Sequence, residues 1–250
     1  MKRLEQDSIS IVSRDISMTY GDQKVLDLPG SVTIPEGLTV IQGSSGSGKS
    51  TWLNIMAGFV APTNGEMQHV NNQQESLYSN KQNPGYLKRV MALVAQRLLV
   101  QTRAEAKESR YRSESMGYIR QQPALHPELS LEKYIRLVHE VRGSQPDGDY
   151  ISSLIGQLGL SSLLGKKPRE LSGGEEQRGA IVAALAHEPQ IVLADEPTSA
   201  LDHANKRNTM SILRDRANSG ATVVVVSHDS VALDYADRII RVDSGVIVKE

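Results

Sequence analysis

A glycine-rich segment of the sequence has the residue types and spacing that suit phosphate binding. GSSGSGKS at 43–50 fits the pattern G-x-x-x-x-G-K-[ST]. Glycines let the backbone fold closely around an anion, and successive amides and the start of a following helix point toward it. Lys49 is expected to reach the outer phosphates, and Ser50 to offer its hydroxyl to magnesium. A Gly/Ser linker is disfavoured, because an apolar run precedes the loop and a helix-forming segment follows it.

Two adjacent acids, Asp195 and Glu196, close the apolar run IVLA at 191–194. In a phosphate-loop protein, an aspartate at such a strand end typically holds magnesium, directly or through water. The glutamate beside it can take a proton from an attacking water. The pair could instead form only a solvated turn before Pro197. The phosphate loop favours the metal interpretation, because a buried triphosphate and its metal need a carboxylate there.

A second glycine-rich helix start occurs at LSGGEEQR, residues 171–178. Ser172 and Glu175 have the spacing of a capping box, which is common at helix starts. The capping box does not explain Gly173 and Gly174, since each glycine in a helix costs about 0.5–1 kcal/mol relative to alanine. Their missing side chains expose backbone amides to a bulky anion. Because the first loop already encloses one triphosphate, we expect this segment to face a nucleotide held by a neighbouring subunit.

The elements that must position these residues are short apolar runs without alternation. LTVIQ (38–42), IVLA (191–194) and TVVVV (222–226) each end in glycine or polar residues. Such runs are typical of strands covered on both faces, which predicts a parallel sheet flanked by helices. Ligands gather at the carboxyl ends of strands in these sheets. A polar and helical accessory region, roughly 70–170, is predicted to lie outside this sheet.

The overall composition limits the partners that the chain can have. Its 250 residues can bury a substantial core, and its formal net charge of −1, with acids and bases interspersed, does not favour a polyanion such as nucleic acid. The absence of cysteine excludes disulfides and thiolate metal sites. We expect a cytoplasmic protein, because the start does not look like a signal peptide and no stretch offers eighteen uninterrupted apolar residues.

These motifs together resemble the nucleotide-binding domains of ABC transporters. The matching pieces, in the family's order, are GSSGSGKST, LSGGEEQR, IVLADEP, SALD (199–202) and SHD (227–229), so the resemblance covers nearly the whole chain. It implies an α/β fold of the P-loop NTPase type, specifically the ABC type. This fold has a mostly parallel core sheet with flanking helices, an N-terminal antiparallel β part and a helical signature subdomain.

The resemblance also implies one ABC ATPase domain over residues 1–250. The RecA-like core is expected at about 1–70 and 170–250, and the helical subdomain at about 122–170. An atypical insertion falls between them, at about 71–112. Apolar residues within it recur at the spacing of an amphipathic helix, and they are Leu87, Val90, Met91, Val94 and Leu98. Packing of this stripe on its own domain is the favoured interpretation, and docking on a membrane subunit or an anionic lipid surface is the alternative.

Family positions that match this sequence predict further contacts with ATP. Tyr20 stands where the family has an aromatic residue that stacks on adenine. Gln121 matches the glutamine that touches magnesium and the attacking water, with Gln122 as its close competitor. His228 matches the switch histidine at the γ-phosphate, and Asp202 matches the residue that reaches across the dimer.

The resemblance implies ATP hydrolysis with magnesium in a head-to-tail dimer that encloses two ATP molecules. The predicted catalytic residues are Lys49, Gln121, Glu196 and His228, and the predicted metal ligands are Ser50, Gln121 and Asp195. The expected nucleotide contacts are Tyr20, Gly43, Ser44, Ser45, Gly46, Ser47, Gly48, Lys49, Ser50, Thr51, Asp202 and, toward the partner's nucleotide, Ser172, Gly173, Gly174 and Glu175.

The implied partners are a second ATPase subunit, with a homodimer expected, and integral membrane permease subunits that hold the protein at the inner face of the cell membrane. GFVAPTNGE and LADEPTSALD look most similar to the branch with lipoprotein-release and macrolide-export ATPases, which favours export or mechanical transduction. A soluble ABC ATPase that serves cofactor assembly or nucleic-acid transactions is the alternative. No nucleic acid is expected, since the sequence offers no strongly basic face. A non-catalytic sensor is disfavoured because Lys49, Asp195, Glu196 and His228 are all present.

Overall fold

The computed structural model describes residues 8–73, 75–81, 103–142 and 148–249. The strands are β1 (Ile9–Tyr20), β2 (Gln23–Ile34), β3 (Gly37–Gln42), β4 (Asn64–Asn71), β5 (Ser76–Lys81), β6 (Met116–Ile119), β7 (Ile191–Asp195), β8 (Thr222–Val226), β9 (Arg238–Asp243) and β10 (Val246–Lys249). The α-helices are α1 (Lys49–Met56), α2 (Arg103–Ser115), α3 (Leu131–Arg142), α4 (Gly148–Gln157), α5 (Gly173–Leu185), α6 (His203–Asn218) and α7 (Ser230–Asp234), with a 3-10 turn at Pro168–Glu170.

The three apolar runs of the sequence form adjacent strands of one six-stranded sheet. Its order is β10-β9-β3-β8-β7-β6, and all neighbours are parallel except the edge pair of β9 and β10. Every residue of β8 is buried, as expected for a strand covered on both faces. The predicted parallel sheet is therefore confirmed.

The prediction that residues 70–170 lie outside this sheet is wrong at β6. This strand pairs in parallel with β7, in a register that places Ile119 opposite Ala194. The sequence MGYI gave little signal, because it is short and contains a glycine. Gly117 is needed there: a Cβ at this position would lie 2.5 Å from the carbonyl oxygen of Ala184, so the glycine lets α5 approach the sheet closely.

An antiparallel sheet of order β2-β1-β4-β5 covers one side of α1. The indole of Trp52 is fully buried and donates a hydrogen bond of 3.0 Å to Ser13 Oγ on β1. On β4, the Nε2 of the fully buried His69 lies 3.0 Å from the carbonyl oxygen of Met56, at the end of α1. The predicted antiparallel β part is confirmed, and it holds α1 against the core sheet.

Helices cover the face of the core sheet that lies opposite α1. One hydrophobic cluster joins residues of β3, β7 and β8 to α5 and α6, and α3 and α4 pack against α5. Leu131 and Leu125 lie next to Gly179 of α5, where a Cβ would meet their side chains. The expected helical signature subdomain is present. None of the helices in the described ranges is long and apolar enough to cross a membrane.

The amphipathic stripe predicted at Leu87–Leu98 lies outside the described residues. The flanking parts of the predicted insertion contain β5 and most of α2. Tyr111 of α2 stacks on Tyr78 of β5, with ring centroids 6.1 Å apart, and lies 5.8 Å from the ring of His69. These ring contacts attach α2 to the antiparallel sheet. The limits of the domain and its subdivisions remain predictions.

Candidate nucleotide-binding and hydrolysis site

The register of the core sheet brings the predicted site residues to one edge. Val226 of β8 lies opposite Ile41 of β3 on one side and Asp195 of β7 on the other. The phosphate loop follows β3 directly and the SHD segment follows β8, while Asp195 ends β7 and Glu196 follows it. Because the strands are parallel, their carboxyl ends share one edge, and residues more than 180 positions apart in sequence become neighbours there.

The phosphate loop holds the amino group of Lys49 within its own backbone. Lys49 Nζ donates to the carbonyl oxygen of Ser44 at 2.6 Å and to Ser47 Oγ at 3.2 Å, and the lysine is buried. Both acceptors are uncharged, so the positive charge of the ammonium stays available for an anion in the loop. Helix α1 begins at Lys49 and adds its N-terminal amides.

Ser50 and Asp195, two predicted metal ligands, are in direct contact. Ser50 Oγ donates to Asp195 Oδ1 at 3.0 Å. Burial raises the pKa of Asp195; the hydrogen bond from Ser50 opposes this and the charge of Glu196 adds to it. A partly desolvated carboxylate beside a hydroxyl is a donor set that suits a hard divalent cation, which would restore charge balance. These residues therefore fit the predicted magnesium.

Glu196 and His228, two predicted catalytic residues, also contact each other. Glu196 Oε1 lies 2.8 Å from His228 Nδ1, and Glu196 Oε2 accepts a hydrogen bond of 3.4 Å from Ser227 Oγ. The glutamate is mostly buried, at 13% exposure of its side chain, whereas the histidine is 75% exposed. The site therefore presents a shielded carboxylate whose imidazole partner faces outward.

The backbone of Glu196 is in the left-handed region, with φ of 45°. Such a conformation is unfavourable for a residue other than glycine, by about 1–3 kcal/mol, and persists only where the surroundings impose it. Here the amide of Glu196 donates to the carbonyl oxygen of Val226 at 2.9 Å, which ties the turn after β7 to β8. The strained turn aims the carboxylate at the end of the neighbouring strand.

The capping box of the signature segment is confirmed. Ser172 Oγ accepts a hydrogen bond of 3.3 Å from the amide of Glu175, and Glu175 Oε2 accepts one of 2.7 Å from the amide of Ser172. Hydrogen bonding of Ser172 to the carboxylate, first from its amide and then from its hydroxyl, holds the pKa of Glu175 below its usual range. The cap fixes the start of α5 and the direction of its amides.

The two glycines of the signature have different surroundings. A Cβ on Gly173 would meet no atom within 4 Å, whereas one on Gly174 would lie 3.1 Å from the carbonyl oxygen of Ala200 in the SALD segment. Gly174 is therefore accounted for by packing within this chain. The interpretation that a missing side chain serves an external anion applies to Gly173 alone.

The remaining predicted residues lie at exposed ends of elements. Tyr20 ends β1 and is 52% exposed. Gln121 and Gln122 are exposed just after β6, and the pairing of Ile119 with Ala194 brings Gln121 to the same edge as the acids. Asp202 caps α6, since its Oδ1 accepts from the amide of Asn205 at 2.9 Å, and the bonds from Asn205 lower the pKa of Asp202.

Gln177 of α5 is a fully buried polar residue that none of the sequence motifs indicated. Its Nε2 donates to the carbonyl oxygens of Arg120 at 3.1 Å and of Pro197 at 3.3 Å. These carbonyls belong to the residues just before Gln121 and just after Glu196. One amide thus links the signature helix to both strand ends. The only available signal was a glutamine on a helix face that the fold buries.

Comparison with known proteins agrees with this arrangement. A family model described as "ABC transporter" matches residues 30–199, which hold the phosphate loop, the signature and the two acids. The chain belongs to the ABC transporter family. As an ATP-binding domain of this family, it is an ATPase, and both the resemblance and the fold expected from the sequence are confirmed.

Two named relatives of this ABC transporter domain differ in organisation. A putative hemin import ATP-binding protein, HrtA, from Staphylococcus saprophyticus is 30% identical over 246 residues, which cover 96% of this chain and 99% of the relative. The macrolide export ATP-binding/permease protein MacB from Escherichia coli is 34% identical over 243 residues, which cover 95% of this chain but 34% of MacB. The chain therefore spans about a third of MacB.

Solved structures of ABC cassettes superpose on nearly the whole domain. The ATP-binding cassette MJ0796, in a dimeric post-hydrolysis state bound to ADP and Pi, has a TM-score of 0.76 and 27% identity, and the match covers 96% of this chain and 97% of the cassette. A second dimeric structure of MJ0796 has a TM-score of 0.75 and 28% identity. The family of this chain therefore binds ATP and includes dimeric cassettes.

Proposed function

We propose that this ABC ATPase drives a membrane permease, of export or mechanical-transducer type, as one half of a head-to-tail dimer that encloses two ATP molecules. One observation carries the catalytic part of the proposal: the Ser50–Asp195 and Glu196–His228 contacts lie at the same sheet edge as the phosphate loop. The similarity to MacB, named as an export protein, favours export, whereas the relative HrtA is named as an import protein.

Each predicted residue has a chemical task in this proposal. Lys49 neutralises charge on the outer phosphates, and Ser50 and Asp195, with Gln121, hold magnesium. Bound magnesium supplies positive charge to the phosphate oxygens. The amides of residues 43–51 cradle the phosphates, and Tyr20 stacks on adenine.

Hydrolysis needs a base within hydrogen-bond reach of the attacking water. Glu196 accepts the proton of the attacking water, and His228 turns its exposed imidazole toward the γ-phosphate. The 2.8 Å contact between them supports this division of roles, because the histidine fixes the glutamate while its other nitrogen remains accessible.

The dimer completes each site with backbone amides from the partner. The open space around Gly173 supports this step, since no atom of the described residues lies within 4 Å of the position that a Cβ would take there. Ser172, Gly173, Gly174 and Glu175 would face the γ-phosphate held by the other subunit, and Asp202 would lie across the interface. ATP can close the dimer only as far as it binds the closed state better than the open one, and hydrolysis removes that difference.

The permease would hold the chain at the inner face of the cell membrane as a peripheral subunit. No nucleic-acid partner is proposed. The second candidate is a soluble ABC ATPase of a non-transport complex. Expression with the neighbouring genes and purification through this subunit separates the two, because copurification of an integral membrane protein supports the permease, and recovery of a soluble scaffold supports the alternative.

Glu196→Gln tests the catalytic assignment and the dimer together. We expect ATP turnover to fall at least about 100-fold, because a general base contributes about 10²–10⁴-fold. The variant should still bind ATP and should elute as a dimer only with ATP. Glu36→Gln is the matched control, since Glu36 is exposed just before β3, at the end of that strand away from the phosphate loop. Unchanged turnover would contradict the assignment of Glu196 as the general base. A variant that stays monomeric with ATP would contradict the proposed ATP-dependent dimer.

A further inference from the structure

One ion pair near the site joins two segments for which the proposed function has separate roles. Lys206 Nζ of α6 lies 2.5 Å from Asp229 Oδ2, with side-chain exposures of 26% and 15%. The Arg110–Glu114 pair within α2, in contrast, has exposures of 78% and 45%. Exposed pairs of that kind contribute little, whereas a shielded pair is screened less by water and salt. The Lys206–Asp229 contact can therefore fix geometry.

Asp229 forms hydrogen bonds to residues before and after His228. Its amide donates to Ser227 Oγ at 3.1 Å, and its Oδ1 accepts from the amide of Val231 at 3.0 Å, which caps α7. Burial alone would raise the pKa of Asp229, but the hydrogen bonds from Lys206 and Val231 outweigh it and lower the pKa. The ionised carboxylate thus fixes the backbone on the C-terminal side of His228.

Lys206 lies in the first turn of α6, directly after the SALD segment. Its amide donates to the carbonyl oxygen of Asp202 at 2.9 Å, while its side chain reaches Asp229. The hydroxyl of Ser227, which accepts from Asp229, donates in turn to Glu196. A continuous series of polar contacts therefore runs from the SALD segment through Lys206 and Asp229 to the catalytic carboxylate.

We propose that Lys206 is a positioning residue that couples the SALD segment to the loop carrying His228. The inference rests on the proposed function, in which SALD lies at the dimer interface and His228 serves hydrolysis. Through Asp229, Lys206 keeps the imidazole of His228 in contact with Glu196. The distance between these two side chains therefore depends on the position of the SALD segment. Lys206 contacts neither nucleotide nor metal in this scheme, so its loss affects turnover rather than ATP binding.

Lys206→Met, which keeps an unbranched side chain and removes the terminal ammonium group with its charge, is the first test. We expect kcat for ATP hydrolysis to fall about tenfold, which lies within the usual range of interaction energies between contacting residues. KM for ATP should stay within about twofold of wild type. Lys206→Arg should restore most of kcat. Arg207→Met is the matched control, because Arg207 is the next residue of α6 and is exposed. A wild-type kcat in Lys206→Met overturns the inference.

A double-mutant cycle with Asp229→Asn separates positioning from general destabilisation. Asparagine keeps an Oδ1 that can cap α7 and loses the ion pair. If the pair is the cause, the double variant will lose no more kcat than either single variant, at unchanged thermal stability. Additive losses, or a loss of kcat that follows the melting temperature, overturn the inference. In the Glu196→Gln background, Lys206→Met should still dimerise with ATP; if Glu196→Gln alone fails to dimerise, the proposed dimer fails independently of this cycle.

Discussion

At the scale of single residues, the site sets two adjacent carboxylates apart through their surroundings. Asp195 is partly desolvated and accepts a hydrogen bond from the hydroxyl of Ser50, whereas Glu196 contacts an imidazole and a second hydroxyl. Environments that differ in this way separate the roles of two acids. Asp195 is suited to receive a cation, and Glu196 to receive a proton.

Asp195→Asn is expected to raise the melting temperature of the nucleotide-free protein at neutral pH while it abolishes ATPase activity. Burial raises the folded-state pKa of Asp195 above its unfolded value, so ionisation of this group costs stability at higher pH. That cost disappears as pH falls through the folded-state pKa, and the difference between variant and wild type should shrink there. Calorimetry at pH 7.5 and at pH about 4 measures both effects.

Asp22→Asn, at an exposed position, serves as the control and should leave the melting temperature unchanged. A lower melting temperature of Asp195→Asn at neutral pH would contradict the prediction. It would mean that the bond from Ser50 stabilises the ionised carboxylate by more than burial destabilises it.

At the scale of elements, the start of α5 combines a self-contained cap with an open backbone. Ser172 and Glu175 form reciprocal hydrogen bonds within the first turn of the helix. Gly174 packs against the SALD segment, whereas Gly173 has no neighbour at its Cβ position in the part of the chain that the structure describes. The helix start is therefore capped by its own side chains, while the backbone at Gly173 stays accessible. This is expected of a segment that contacts a nucleotide on a second subunit.

Gly173→Ala is expected to leave the isolated subunit at least as stable, with a gain of up to about 1 kcal/mol from the better helix former. The added methyl group would nevertheless keep an anion from the amides, so ATPase activity and ATP-dependent dimerisation should both fall. Melting temperature, turnover and gel filtration with ATP measure these effects. Wild-type turnover in this variant would contradict the assignment of Gly173.

Gly174→Ala is the matched comparison, because it adds the same group one residue later. Its Cβ would approach the carbonyl oxygen of Ala200 to 3.1 Å, so α5 or the SALD segment must shift. We therefore expect a lower melting temperature for Gly174→Ala without ATP, in contrast to Gly173→Ala.

The elements differ in how far the sequence predicted them. β3, β7 and β8 were predicted because both of their faces are buried, which leaves continuous apolar runs in the sequence. β6 was not predicted, since four residues with a glycine carry no period and their place in the sheet comes from pairing with β7. The site shows the same contrast. The phosphate loop and the two acids were predicted because each forms a short motif of neighbouring residues. Gln177, Ser227 and Lys206 were not, because their roles come from contacts with residues that are distant in the sequence.

At the scale of the whole molecule, α1 is held between the two sheets. His69 contributes to this contact from β4, through the 3.0 Å contact with the carbonyl oxygen of Met56 at the end of α1. The histidine is fully buried, and its Nδ1 has no hydrogen-bond partner among the described residues. The attachment of the antiparallel sheet to the phosphate-loop helix therefore depends on a neutral imidazole.

Acid should weaken this attachment. Burial lowers the pKa of His69 from 6.5 to about 4, so between these values the unfolded chain binds a proton that the folded protein does not. Stability is then lost as pH falls from 6.5 toward 4, by about 3 kcal/mol for this residue. His69→Gln retains a donor but cannot titrate, so urea unfolding of this variant should depend less on pH in that window.

His203→Gln is the control for this experiment, because His203 is exposed and its loss should leave the acid limb unchanged. An equally steep acid limb in His69→Gln would contradict the prediction. It would assign the acid sensitivity to other groups.

The position of β8 in the core sheet has a consequence for biosynthesis. This strand lies between β3 and β7 in the sheet, but it follows them in the chain by about 180 and 30 residues. Neither strand can therefore pair with β8 until Val226 has left the ribosome. Until then, the apolar edges of two finished strands stay open to other chains. Ribosome-bound nascent chains that stop short of β8 should therefore be the forms most dependent on chaperones.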